Sequence, residues 1–283
     1  MNGLKTALLL GLMSGVLLLG GQMLGGRSGL QIGLLLAVGM NFFSYFFSEK
    51  MALMSSGAIP VSETQNPQVY WRLEPMVRHL TERMGLPMPR LWVIPEQAPN
   101  AFATGRNPSH SSVAVTAGLL ELMNDTELEG VIAHELGHVR HRDILISSVA
   151  ATLAAAITYS AHMAMFFGGR RNDDDDAPNP FVAILMMLLA PIAAGLIQMA
   201  ISRSREYGAD AAAAKFTGSP NGLISALGKL ETWSKRIPMD VSPAMSHMYI
   251  IKPFTGQTLA RLFSTHPATE ERIARLEGLR HAA

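Results

Sequence analysis

The sequence predicts an α+β fold built into a helical membrane protein, with about four transmembrane helices and a small sheet packed on one motif-bearing helix. Three observations predict it. Four apolar stretches are long enough to cross a bilayer, three short β-type runs cluster between them, and a His-Glu-x-x-His string lies in a helix-forming segment. Hydrophobic residues make up 48% of the 283-residue chain and charged residues only 16%, against about 25% in ordinary soluble domains.

Taken in order, residues 1–47 read as an N-terminal transmembrane hairpin, with apolar runs 6–24 and 30–47 joined by a short Gly-rich turn. Each run covers about 30 Å as helix, the thickness of a hydrocarbon core. The first is long and lacks a small-x-small cleavage site before the next span, so it does not read as a cleaved signal. Residues 48–143 carry the strand signals: 91–94, 101–104 and 112–115, separated by Pro, Gly, Asn and Ser. Helices are expected at 74–84, 116–123 and 126–143, the last opened by a Thr126-x-x-Glu129 capping box. Residues 144–201 hold a second apolar pair, 144–167 and 181–201, either transmembrane or re-entrant; the Ala, Ser and Thr of 144–167 also suit a buried helix. Residues 202–283 read as helical and end in a helix from Pro267 to about Arg280, with proline in its first turn.

The chemistry is concentrated in His134-Glu135-Leu136-Gly137-His138. Residues four apart share one helical face, so both imidazoles can reach one ion while the Glu135 carboxylate beside them takes a proton from water. Two neutral imidazoles, an adjacent base and an open position are what a zinc hydrolase needs. His141 shares the face but lies about 10 Å along the axis from His134, too far to join the same small ion. Glu206, in Glu206-x-x-x-Asp210, is the better third ligand, and Asp210 on the same face can hold the free ring nitrogen of a ligand histidine. The chain has no cysteine, which excludes disulfides, thiol chemistry and a cysteine-ligated zinc site.

Topology and charge orient the spans. His138 and Glu206 flank the second apolar pair and must meet at one ion, so that pair has to go out and come back. Lys5, Lys50, Arg140, Arg142, Arg203 and Arg205 flank the spans on the proposed catalytic side, whereas the first connecting turn has Arg27 alone. Arg170 and Arg171 in the second loop weaken the bias without reversing it, and the site is expected to face the cytoplasm. Asp173 to Asp176 read as a solvated loop tip. A net charge of +1 gives no reason to expect nucleic acid as a partner.

The two motifs together resemble gluzincin metalloproteases, whose third ligand is a glutamate on a second helix. The wording from Glu129 to His138, and Arg205-Glu206-Tyr207-Gly208-Ala209-Asp210, is similar to the HtpX-type membrane proteases, relatives of the prenyl-protein (CAAX) proteases. Asn100-Ala101-Phe102-Ala103 and Ser264-Thr265-His266-Pro267 also match, and the resemblance covers nearly the whole chain. It implies a zincin-like protease domain holding one Zn2+, and a sheet edge at Asn100, Ala101 and Phe102 that binds substrate backbone. His266 is then either a helix cap or a catalytic group that hydrogen-bonds the oxyanion or plugs the site before activation. The implied function is quality control in the bacterial inner membrane, cutting misfolded or damaged membrane proteins under stress. Self-cleavage is a further expectation, because tethered copies meet at high effective concentration.

Other functions fit less well. Narrow processing of the CAAX type belongs to larger relatives with more spans around an enclosed chamber. A metal transporter needs ionisable groups inside its spans, and only His162 qualifies. A scaffold with a vestigial site would not need base and ligands together.

Overall fold

The computed structural model describes residues 2–147 and 149, 203–236 and 267–280. The 181–201 span, most of the 144–167 span, the Asp173–Asp176 run, His162 and His266 lie outside the described residues.

Helix α1 (Asn2–Ser55) is hydrogen-bonded as helix throughout but is not straight. Asn41 Nδ2 donates to Ser14 Oγ at 2.8 Å, whereas a straight helix would part these residues by about 40 Å. The chain therefore doubles back, and Gly26, in the left-handed region at φ 54°, lies at the turn. A Cβ on Gly33 would stand 2.5 Å from the Leu17 carbonyl oxygen, so its absence lets the two arms close. Gly26–Ser55 is the one helix among the described residues long and apolar enough to cross a membrane; the first arm supplies the shorter apolar helix Thr6–Leu19. Leu34, Leu35, Val38, Phe42 and Phe46 on the second arm are exposed.

Strands β2 (Arg90–Ile94), β3 (Ala101–Asn107) and β4 (His110–Thr116) fall on the three predicted runs and extend them. Strand β1 (Ile59–Pro60) is too short to leave an alternation in the sequence. The order is β1-β2-β4-β3, with β2 and β4 parallel and the other pairs antiparallel, so β3 is an edge among the described residues. The period-two pleat sorts the side chains. Leu91, Ala101, Ala103, Val113 and Val115 join the main core, whereas Trp92, Ile94, Phe102 and Ala114 pack with Ala52 and Leu53 at the end of α1.

Helix α2 (Pro67–Met84) starts earlier than predicted, with proline in its first turn and Gly85 closing it at φ 67°. Arg72 ties it to the next connection, donating to Asp125 Oδ1 and to the Leu120 and Met123 carbonyls. Helix α3 (Ala117–Leu122) is capped by Thr116, whose side chain accepts from Leu119 N. Helix α4 (Asp125–Arg140) corrects the expected start. The capping box is Asn124 with Glu127, not Thr126 with Glu129. Asn124 N donates to Glu127, and the same buried carboxylate accepts from Ser225 and Lys229, ties that Glu129 does not make. The expected run to Asp143 is also interrupted, because Arg142 adopts φ 58° before helical residues resume at 144.

Helices α5 (Arg203–Thr217), α6 (Asn221–Arg236) and α7 (Thr269–Arg280) complete the described fold. Among the described residues of 202–283 these three elements are helices, and α7 begins two residues after Pro267. Helix α4 is buried on nearly all sides and meets its neighbours at glycines. A Cβ on Gly137 would lie 3.0 Å from Ala209 Cα on α5, and one on Gly130 would lie 2.6 Å from Leu223 N on α6. Both approaches are backbone to backbone, so a methyl group there must push a whole helix.

Two substitutions on this packed pair should therefore diverge. Gly130→Ala should lower stability by about 1–3 kcal/mol through overpacking. Gly228→Ala, with nothing within 4 Å of its Cβ, should be neutral or stabilise by up to about 1 kcal/mol from helix propensity. Thermal midpoints of the two purified variants check this; equal midpoints would contradict the close packing of α4 on α6.

Candidate metal centre

The site forms where α4 crosses α5. His134 and His138 project from one face of α4, and their Nε2 atoms stand 3.2 Å apart. Glu206, from the first turn of α5, brings Oε2 to 3.7 Å from His134 Nε2 and Oε1 to 3.5 Å from His138 Nε2. Four tetrahedral bonds of about 2.0–2.1 Å separate their ligand atoms by roughly 3.3 Å. The three residues offer one donor atom each within 4.8 Å of one another, near that spacing. Gly137 sits between the two histidines and faces Ala209, three residues beyond Glu206, so the missing Cβ sets how near the ligands come.

Each histidine is held from behind. Asp210 Oδ1 lies 2.8 Å from His134 Nδ1, as the i, i+4 spacing from Glu206 anticipates. The partner of His138 is Asp143, with Oδ2 at 3.2 Å from Nδ1, and no helical spacing predicts it. The left-handed Arg142 turns the chain just past α4 and brings Asp143 back toward His138. A further residue missed in the sequence is Arg272 on α7, 2% exposed. Its Nε and Nη2 donate to the two oxygens of Asp210 at 2.9 and 2.7 Å, a bidentate pair. Buried Arg205, beside Glu206, interacts electrostatically with Asp143.

The buried charges fit a cation. Four buried carboxylates (Glu135, Asp143, Glu206 and Asp210) face two buried guanidinium groups (Arg205 and Arg272), which leaves two negative charges for a divalent ion to balance. Burial opposes charge on His138, but the hydrogen bond to Asp143 and the charges of Glu206 and Glu135 outweigh it and lift the imidazole to about 9. Burial pushes the Glu135 carboxyl up to about 7, with the Glu206 charge acting the same way. His134 is held below its usual range by burial and by Arg272, and so stays a neutral donor.

Glu135 projects next to the first ligand and meets the sheet edge. Ala103 N donates to its Oε2 at 2.9 Å. On the other side of β3, Thr116 N donates to the Asn100 carbonyl. Alternation along an antiparallel strand then turns the backbone groups of Asn100, Phe102 and Thr104 toward β4, and those of Ala101, Ala103 and Gly105 outward. The structure thus divides the three predicted strand residues. Ala101 faces out, Asn100 is bonded to Thr116, and Phe102 packs its ring on the end of α1. His141, rejected on axial distance, caps the end of α4 and is not in the donor cluster.

Comparison with known proteins agrees with this geometry. The sequence profile of peptidase family M48 matches residues 67–280, which include all three donors. The chain is 54% identical to a protease HtpX homologue of Desulfatibacillum aliphaticivorans, over 99% of this chain and 90% of that protein. It is 50% identical to one of Pelotomaculum thermopropionicum, over 99% of each. Another, of Paraburkholderia phytofirmans, is 51% identical over 97% of this chain and 96% of its own. Among solved structures, S. mikatae Ste24p superposes with a TM-score of 0.52 at 20% identity, which shows a shared fold; the match covers 94% of this chain and 62% of that one. With the family profile spanning both helices of the donor cluster and half the residues shared with HtpX homologues along the full length, the chain belongs to peptidase family M48 and is a metalloprotease.

Proposed function

We propose that the chain is a membrane-embedded zinc endopeptidase that cuts misfolded or damaged membrane proteins on the cytoplasmic side of the bacterial inner membrane. The observation that carries this reading is the convergence of His134, His138 and Glu206 beside a carboxylate bonded to an edge strand. Two imidazoles and one carboxylate form a donor set suited to zinc. When bound, the ion supplies Lewis acidity, making water nucleophilic near neutral pH and polarising the peptide carbonyl. With the ion bound, Glu135 would be the group placed to take a proton from the attacking water and return it to the leaving amine, since it stands beside the first histidine and accepts from Ala103 N. Asp210 and Asp143, at the Nδ1 atoms, would leave the Nε2 atoms of His134 and His138 to hold the ion.

The outward groups of Ala101 and Ala103 supply main-chain donors and acceptors to an extended peptide, a contact indifferent to side-chain sequence. Broad specificity of this kind suits the removal of damaged proteins and would extend to neighbouring copies of the enzyme itself. Ala101 is fully buried and Ala103 9% exposed, their side chains belonging to the main core. The N-terminal hairpin 1–47 and the 144–201 pair anchor the protease domain, whose parts 48–143 and 202–283 supply the histidines and Glu206 respectively. Lys5, Lys50, Arg140, Arg142, Arg203 and Arg205 on the catalytic flank favour a cytoplasmic site. His266, just ahead of α7, remains a candidate oxyanion donor.

Three outcomes test the reading. Glu135→Gln should retain zinc yet lose proteolysis by about 10²–10⁴-fold, because the amide keeps the shape and cannot take the proton. Zinc analysis and cleavage of a membrane protein in proteoliposomes, on one preparation, check it; near-normal cleavage would contradict the role of Glu135. Glu206→Ala should bind zinc far more weakly, and Asp210→Ala about 10–100-fold more weakly, by competition with a chelator.

Zinc binding should also depend on pH in a defined direction. His138 is protonated below about 9 in the ion-free protein and must be neutral to bind, so binding expels its proton. Affinity should rise with pH up to about 9 as the His138 proton is lost, and more steeply below about 7, where Glu135 also holds a proton. Calorimetry in buffers of different ionisation enthalpy measures the proton count; a count of zero at pH 7.5 would contradict this assignment.

A further inference from the structure

The catalytic strand runs down to the membrane helix. Phe102 packs on Ala52 and Leu53, and four residues later the Arg106 guanidinium sits 5.4 Å from the centre of the Phe46 ring. Strand β3 therefore descends α1 against the chain direction, from the level of Glu135 toward the apolar span. Phe42, Phe43, Phe46 and Phe47 are all exposed there, an aromatic cluster at the end of a bilayer-length helix where a headgroup boundary belongs. Arg106 suits the same zone, its stem on an aromatic ring and its charge free to reach phosphate.

Two features fix this relation. Ser112 Oγ on β4 donates to Glu49 Oε1 at 2.6 Å and accepts from Trp92 Nε1 at 3.0 Å, while Arg90 also pairs with Glu49. Glu49 follows the aromatic cluster by two residues, so the sheet is pinned to α1 just above the boundary. The register of β3 is also irregular between Gly105 and Asn107. Such a bulge re-aims a side chain and ends regular pairing, here at the residue that faces Phe46.

We propose that the outer edge of β3 is a ruler read from the lipid boundary: peptide leaving the bilayer passes Arg106 and Gly105 before its backbone reaches Ala103 and Glu135. This deepens, and rests on, the reading of the chain as a protease of membrane proteins. Arg106 lies three residues along the strand from Ala103, about 10 Å at 3.3 Å per residue. The selected bond is then the one a few residues from the cytoplasmic end of a substrate's span, whatever its sequence.

The test uses the full chain in proteoliposomes with substrates made of one transmembrane span, a linker of identical short repeats, and a folded cytoplasmic reporter. Every repeat offers the same sequence, so distance is the variable, and mass spectrometry of released fragments gives the cut positions. The expected cuts lie within about ten residues of the span, and at least about tenfold fewer lie beyond twenty, because an extended segment covers the 10 Å offset in three or four residues. Arg106→Ala should widen the distribution; an unchanged distribution removes Arg106 from the ruler. Uniform cutting along the linker overturns the ruler and leaves the membrane-protease reading intact. Cleavage of casein with no cleavage of any tethered substrate overturns both.

Discussion

The close approach of α4 and α5 at Gly137 and Ala209 is the constraint on which the site depends. The histidines belong to one helix and Glu206 to another, separated in sequence by the whole second apolar pair. Their donor atoms lie 3.2–3.7 Å apart only because a backbone without a side chain lies against a backbone with a methyl group. A second glycine contact, Gly130 on Leu223, holds α4 against α6, and Glu127 fastens the same end through Ser225 and Lys229. Helix α4 is thus fixed at both ends before any ligand arrives, and little conformational freedom is left for an ion to remove.

Charge follows from that packing. Bringing Glu135, Asp143, Glu206 and Asp210 out of water in one region leaves them underbalanced by Arg205 and Arg272. Burial and neighbouring charge push His138 and Glu135 toward their protonated forms, and a divalent ion would meet the same need. The Arg272–Asp210 pair is the fixed part of this arrangement. A buried guanidinium gripped at two oxygens keeps Asp210 ionised, and an ionised Asp210 keeps His134 in one orientation.

How far these features were legible in the sequence depends on how local they are. His134, Glu135 and His138 on one helix, and Glu206 and Asp210 on another, are written in i, i+4 or adjacent positions, so helical geometry aligns each set, while their meeting depends on Gly137 against Ala209. Asp143 depends on one left-handed residue past a helix end, and Arg272 lies 138 residues from the histidine it approaches. Neither carries a local pattern. The displaced capping box has a similar cause: Asn124-x-x-Glu127 and Thr126-x-x-Glu129 are both acceptable strings, and the choice was made by Lys229 and Ser225, about a hundred residues away. The strand runs were legible because alternation is local; the placing of β3 at the edge was expected only from the family resemblance, since it depends on β4 inserting beside β2.

The central claim is that one ion is held by His134, His138 and Glu206. X-ray absorption of the zinc-loaded full chain tests it most directly. The spectrum should show nitrogen and oxygen neighbours at about 2.0–2.2 Å with outer-shell scattering from two imidazoles, and a changed first shell in Glu206→Ala. Scattering from three imidazoles, or a spectrum unaffected by Glu206→Ala, would contradict it.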